Sequence, residues 1–213
     1  DGADVLTMQG ACGLLDGGDG ADSLEAANSP ATLRGGAGDD VIRVSAESYV
    51  IDAGDGDDLV SASYTLLSAT TGAGADIVRI ADSRFTLDAG DGDDDVSILR
   101  AEGRVALGAG ADLLRVEDGA YTVDAGAGDD VIAVVNSEGV VEAGGGDDRV
   151  IVAGSNCAVD GGAGRDVLVA SGAAPLLDGG EGDDVLAAID GAATLKGGGG
   201  ADVMIGGVGD QTF

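Results

Sequence analysis

An Asp stands at every eighteenth residue of this chain: Asp4, Asp22, Asp40, Asp58, Asp76, Asp94, Asp112, Asp130, Asp148, Asp166, Asp184 and Asp202. Two residues before each runs a Gly column, Gly2, Gly20, Gly38, Gly56, Gly74, Gly92, Gly110, Gly128, Gly146, Gly164, Gly182 and Gly200. A second column stands two residues earlier still, at Gly18, Gly36, Gly54, Gly72, Gly90, Gly108, Gly126, Gly144, Gly162, Gly180 and Gly198. Carboxylates on a fixed period, each set in a turn without Cβ atoms, suit one kind of chemistry. A hard divalent cation such as calcium takes six to eight oxygens, and glycine turns can aim backbone carbonyls at it beside the carboxylates. Bare carboxylates stacked about 4.8 Å apart would repel by roughly 1 kcal/mol per pair in water, and a divalent ion between each pair reverses the sign. Asp and Gly are also ordinary turn formers. Turn propensity alone, however, would let Asn or Ser alternate with Asp, whereas all twelve positions hold Asp while the residue before them varies among Ala, Asp and Arg.

The elements that would carry these turns follow from a finer ladder of period nine, which includes Leu24, Leu33, Ile42, Ile51, Val60, Val78, Leu87, Leu114, Val123, Leu168, Leu177 and Leu195 and is apolar at every member. These residues lie in short β-branched runs such as Val41-Ile42-Arg43-Val44. Each half-repeat therefore reads as one short strand and one turn. The expected fold is all-β: a right-handed parallel β-roll or β-solenoid with two short strands per 18-residue coil, about 12 coils, over a single domain spanning 1–213. A second inward column, from Met8 and Ala26 to Ala188, continues one sheet because alternate strand residues share a face.

The turn Gly35-Gly36-Ala37-Gly38-Asp39-Asp40-Val41-Ile42, with close copies at Gly161-Gly162-Ala163-Gly164-Arg165-Asp166-Val167-Leu168 and Gly179-Gly180-Glu181-Gly182-Asp183-Asp184-Val185-Leu186, resembles the RTX (repeats-in-toxin, haemolysin-type) calcium-binding family. Its nonapeptide is G-G-x-G-x-D-x-U-x, with U a large apolar residue. The resemblance implies a parallel β-roll that folds on binding calcium, as a structural and secretion-linked module of an exported or cell-surface bacterial protein. It points to the twelve Asp and the Gly columns from Gly18 to Gly200 as the metal residues. One departure matters. The opposite edge reads Ser45-Ala46-Glu47-Ser48-Tyr49, Ala81-Asp82-Ser83-Arg84-Phe85, Asn136-Ser137-Glu138-Gly139 or Gly172-Ala173-Ala174-Pro175, without the motif. Calcium is accordingly expected in single file along one edge, about eleven ions for eleven gaps. The other edge is expected to form metal-free tight turns at Asn28, Asp82, Asp118, Asn136, Asp190, Gly10, Gly154 and Gly172. Only the last half-repeat, Gly206-Gly207-Val208-Gly209-Asp210-Gln211-Thr212-Phe213, returns to the motif there, with Gln211 in place of the ligand Asp.

Composition narrows the alternatives. A formal charge of −30 argues against nucleic-acid binding, which needs a basic patch. No apolar run is long enough to insert in a membrane. The chain has no His, and its ten Lys and Arg residues are scattered, so no enzyme activity is expected; the remaining enzyme reading, a pectin-lyase-like groove, lacks the basic residues for sugar acids. With 44% hydrophobic residues the chain folds, yet aromatics at 2% require a thin core. Cys157 falls on an inward position and Cys12 on the metal-free turn, about 38 Å apart at about 4.8 Å per coil, so they cannot bond within this fold.

Outward positions suggest a further role. Ala133, Ile151, Val169, Ala187 and Ile205, with Val131, Val167, Val185 and Val203 beside them, make an apolar face on the C-terminal half. The alternative to a purely structural module is a self-assembling surface layer, fibre or adhesin stalk, joined through that face or by end-to-end stacking of uncapped coils. An ice-binding array on Thr32, Thr86, Thr122, Thr194 and Thr212 is weaker, because Arg104 and Leu176 interrupt it. Asp1 follows no charged-then-apolar leader, so a mature product or an excised fragment is expected, and the uncapped end coils suggest a segment of a longer secreted protein or a unit that stacks end to end.

Overall fold

Strict alternation sets the strands. In Val41–Ser45, Ile42 and Val44 are 0% and 4% exposed while Arg43 points to solvent; in Ser48–Asp55, Tyr49, Ile51 and Ala53 are buried and Val50 is exposed. Because side chains in a strand alternate faces, an 18-residue repeat keeps the same residues inward in every coil. The computed structural model describes residues 2–172, 175–208 and 212, and the chain divides into two units, 1–108 and 109–213. Gly209, Asp210, Gln211 and Phe213 of the last half-repeat, and Ala173 and Ala174 of the metal-free edge, lie outside the described residues.

In the first unit, strands leaving the Asp turn form one sheet: Val5–Gln9, Ser23–Ala27, Val41–Ser45, Leu59–Ser63, Ile77–Ala81 and Asp95–Leu99. Strands leading into the turn form the other: Gly13–Asp19, Ala31–Ala37, Ser48–Asp55, Leu66–Ala73, Arg84–Asp91 and Glu102–Ala109. We call these the exit sheet and the entry sheet. All pairing is parallel and each residue faces the one 18 further on, as in Ile42 with Val60 and Ile51 with Ala69. The second unit repeats the plan. Its exit strands are Leu113–Glu117, Val131–Val135, Arg149–Ala153, Val167–Ser171, Val185–Asp190 and Val203–Val208. Its entry strands are Ala120–Ala127, Glu138–Gly145, Asn156–Ala163, Leu176–Glu181 and Thr194–Gly199. Among the described residues there is no helix, and each unit is a parallel β-solenoid of 18-residue period.

The core is the slot between the sheets. Leu24, Ile42, Val60, Val78 and Val96 line the exit side of the first unit and Leu33, Ile51, Ala69 and Leu87 the entry side, all at most 3% exposed. Fully burying such a side chain contributes roughly 1.5–3 kcal/mol. The slot also holds an inward column of which only Cys157 was expected from the sequence: Tyr49, Leu67, Phe85 and, in the second unit, Tyr121 and Cys157, which fill the Asp-free end. Rings there alternate with glycine: a Cβ at Gly103 would stand 2.7 Å from a ring carbon of Phe85, and one at Gly139 3.2 Å from the ring of Tyr121. Toward the ends of the chain the ladder is less covered, with Leu6 half-buried and Met204 37% exposed.

Candidate metal edge

At the Asp turn a glycine column is required by contact as well as by backbone angle. Gly36 has φ 120°, and a Cβ on it would lie 1.9 Å from the Gly18 carbonyl oxygen. A Cβ on Gly38 would lie 2.7 Å from the Gly20 carbonyl oxygen. Each turn thus nests directly on its predecessor, and no larger residue fits. The nesting aims the carbonyls of both Gly columns along the stack.

Ten of the twelve Asp are turned away from solvent. Asp22, Asp40, Asp58, Asp76, Asp94, Asp112, Asp130, Asp148, Asp166 and Asp184 are 1–2% exposed, Asp202 is half-buried and Asp4 is exposed. The carboxylates of Asp22, Asp40, Asp58, Asp76, Asp94, Asp130, Asp148, Asp166, Asp184 and Asp202 are each held by one oxygen. The backbone N–H of Asp22 donates to Oδ1 of Asp40 at 2.7 Å, that of Asp40 to Asp58 at 2.8 Å, and that of Asp130 to Asp148 at 2.8 Å. The ladder ends with Asp184 N–H donating to Asp202 at 3.1 Å. In eight of them the other oxygen has nothing. Oδ2 of Asp22, Asp40, Asp58, Asp76, Asp130, Asp148, Asp166 and Asp184 is buried without a hydrogen-bond partner. Thr71 stands beside Asp76, but its hydroxyl donates its one proton to the Ala89 carbonyl at 2.8 Å. Gly17, Gly35, Gly161, Gly179 and Gly197 open space for this oxygen, since a Cβ on any of them would come within 2.1–2.4 Å of it. In other coils Ala53, Thr71, Ala89, Leu107, Ala125 and Ala143 hold that position, a departure from the double-glycine start of the motif.

A buried, half-satisfied carboxylate is costly as an anion. Burial pushes the carboxyls of Asp58 and Asp130 up to about 7 and that of Asp166 up to about 6; the donated N–H opposes the shift and neighbouring carboxylates add to it. No cation is among the groups that act on Asp58, Asp130 and Asp166. Among the described residues no three Asp, Glu or Cys side chains converge on one point. An ion here would draw on the carboxylates of successive turns and complete its shell from backbone carbonyls, which is calcium chemistry rather than that of a carboxylate or thiolate cage. The unpartnered oxygens fit such an ion.

The opposite edge makes the same bond in neutral form. There the N–H of Thr65 donates to Oγ of Ser83 at 3.0 Å, and the N–H of Ser137 to Oγ of Ser155 at 2.9 Å. Those hydroxyls in turn donate to carbonyls two residues back, Ser83 to Ala81 at 2.6 Å and Ser155 to Ala153 at 2.9 Å. Nothing is left over. Sequence reading missed this ladder, although Ser29, Thr65, Ser83, Ser137 and Ser155 share one register. The expected left-handed turns occur at Asn28, Asp82, Asp118, Asn136, Gly10, Gly154 and Gly172, and also at Ala46, Tyr64 and Arg100. At the expected Asp190 the strand Val185–Asp190 runs on, and Gly191 takes the positive φ. Cys12 is exposed and Cys157 buried, both as free thiols.

Comparison with known families agrees with this geometry. The family described as RTX calcium-binding nonapeptide repeat (4 copies) matches residues 16–49, 35–63, 104–133, 158–186 and 178–210, more than half of the sequence. The chain belongs to this family. RTX repeats bind calcium, so the edge built on the Asp column is that of an RTX calcium-binding β-roll. The unmatched stretches 64–103 and 134–157 carry Asp76, Asp94 and Asp148, which hold the same buried position as the Asp of matched RTX turns. No curated protein and no solved structure matches the chain.

Proposed function

We propose that this RTX chain is a structural, non-enzymatic module that closes on calcium, with about eleven ions in single file along the Asp edge and none along the Ser edge. The row of buried, unpartnered Oδ2 atoms carries the reading. The ligands are the carboxylates from Asp4 to Asp202 with carbonyls of the Gly columns between Gly18 and Gly200. Eleven divalent ions would take the formal charge from −30 to −8, an ordinary value for a soluble domain. The unfilled edge would keep the chain open where calcium is scarce and let it fold where calcium is plentiful, which suits a secreted or cell-surface protein. Calcium titration followed by circular dichroism and mass-spectrometric ion counting tests this. A coil-to-β change with about eleven ions supports the single file; about twenty-two ions would move metal onto the Ser edge, and full β structure without ions would remove the switch.

A second reading, assembly of copies into a layer, fibre or stalk, is favoured by the exit sheet of the second unit. Val131, Val203 and Ile205 are 42–53% exposed there, beside half-buried Ile151, Val167, Val169 and Val185. Light scattering of the calcium-loaded chain should show an oligomer that Ile151→Lys with Val169→Lys dissociates. An unchanged mass in the double variant would end this reading.

A further inference from the structure

The described aromatic residues of this chain are buried with one exception. Tyr49, Phe85 and Tyr121 are 2–6% exposed, whereas Tyr64 is 68% exposed on the Ser edge of the first unit. Its setting is built. Tyr64 has φ 57°, a left-handed conformation that bulky residues rarely take and that Asn28, Asp82, Asp118 and Asn136 occupy in other coils. The backbone there is fixed by the coil ladder, with Tyr64 N–H donating to Ala81 C=O at 3.1 Å and Asp82 N–H to Leu99 C=O at 3.0 Å. The side chains are fixed too. Arg100 grips Asp82 with two bonds, Nε to Oδ1 at 2.8 Å and Nη2 to Oδ2 at 2.9 Å, and the Arg100 guanidinium, with Tyr64 beside it, holds that carboxyl below the usual carboxylate range. Exposed Leu66 lies alongside, and Glu47, Ser48 and the Arg84–Glu102 pair complete the rim of a depression of about 800 Å³.

We propose that this depression binds a neutral hexose unit of a glycan, with the Tyr64 ring as the platform. An aromatic face accepts the apolar C–H face of a sugar ring, while planar carboxylate and guanidinium groups at its edge match the hydroxyls. The chemistry of the rim selects against other ligands. A purely apolar ligand would have to desolvate Glu47, Asp82 and Glu102. An anionic ligand meets three carboxylates whose two arginines are already paired, in a chain of formal charge −30. The strained Tyr sits where Ala46, one coil earlier, shows that a small residue fits at φ 61°. A ring 68% exposed at a strained position that favours Asn adds little to packing, so what it offers is the face it presents.

The test uses the calcium-loaded full chain and four neutral probes: cellohexaose, maltohexaose, mannohexaose and galactohexaose. Tyrosine emission is a direct reporter, because the chain has no Trp. At least one probe should shift the emission and give a calorimetric isotherm. Tyr64→Ala should weaken that binding at least about tenfold, and Tyr64→Phe should keep most of it. Tyr64→Asn should lose binding while raising the melting temperature, a pairing that a merely structural ring would not give. Silence from all four probes overturns the proposal, as does undiminished binding by Tyr64→Ala. A response to a cationic peptide alone would overturn it in favour of a protein partner, and a destabilised Tyr64→Asn would show the ring to be packing.

Discussion

The Asp carboxylate is the residue on which this protein turns, and its two oxygens have different fates. Oδ1 is fixed by the N–H of the previous coil; Oδ2 is buried and bare. Without metal, protonation is the remaining way to neutralise it. Because burial raises the folded-state pKa of Asp58 and Asp130 to about 7, above an unfolded value near about 3.9, the folded form holds the proton more tightly. The metal-free fold is then most favourable below about pH 4 and loses that stability as pH rises through about 7. Metal-free protein should accordingly show more β signal in circular dichroism at about pH 5 than at about pH 8, and a signal independent of pH would contradict the burial argument. Calcium must displace the same protons, so its apparent affinity should rise over that interval in calorimetric titrations. Asp130→Asn keeps an acceptor for the N–H of Asp112 and removes one charge. That variant should bind at least one ion fewer by mass spectrometry and be more ordered in calcium-free buffer; an unchanged ion count would take Asp130 out of the ligand set. The identity and spacing of these residues were legible in the sequence, because a fixed period is a fixed place. Their inward aim was not, since spacing alone cannot tell a carboxylate facing a turn interior from one facing water.

At the scale of elements, the strands and their register were legible, whereas what holds the second edge was not. The nine-residue ladder specifies which face is buried, and a slip by one residue would turn every apolar side chain outward. Hydroxyl ladders leave a fainter trace. Ser29, Thr65, Ser83, Ser137 and Ser155 share their register with Glu47 and Gly119, so the pattern is visible only once the bonds are known. Ser83→Ala removes the acceptor for both the N–H and the hydroxyl of Thr65, groups buried with it. Leaving them unsatisfied should cost about 1–3 kcal/mol. Denaturant unfolding in saturating calcium should register that loss with no change in bound ions. A change in ion count would mean the two edges are not separable.

For the whole chain, charge and fold are one problem. At −30 and with almost one residue in five a glycine, the metal-free chain must overcome both self-repulsion and a high ordering entropy. Monovalent salt addresses only the first. At about 1 M ionic strength screening is nearly complete beyond about 3 Å, yet the buried Oδ2 atoms still lack a partner. Sodium chloride should therefore compact the chelator-treated chain in X-ray scattering without returning its β spectrum. Magnesium should also fail at concentrations where calcium succeeds, because it holds its waters and demands a tighter octahedron. Recovery of the β spectrum in either salt would show that charge neutralisation alone drives closure. The sequence conveyed this scale through arithmetic, whereas the exposed Tyr64 was lost in it: a single Tyr, one of five aromatic residues among 213, carries no periodic signal.

The two hydrogen-bond ladders differ by one functional group, a carboxylate on one edge and a hydroxyl on the other, in front of the same donated N–H. Both bonds join residues one coil apart, so each ladder follows the same 18-residue step as the strands. On the proposed reading, the calcium level at which the chain closes would follow how many positions of the Asp column carry a carboxylate. A carboxylate could then be exchanged along that column to retune the closing level, while the aliphatic columns between the sheets would stay as they are.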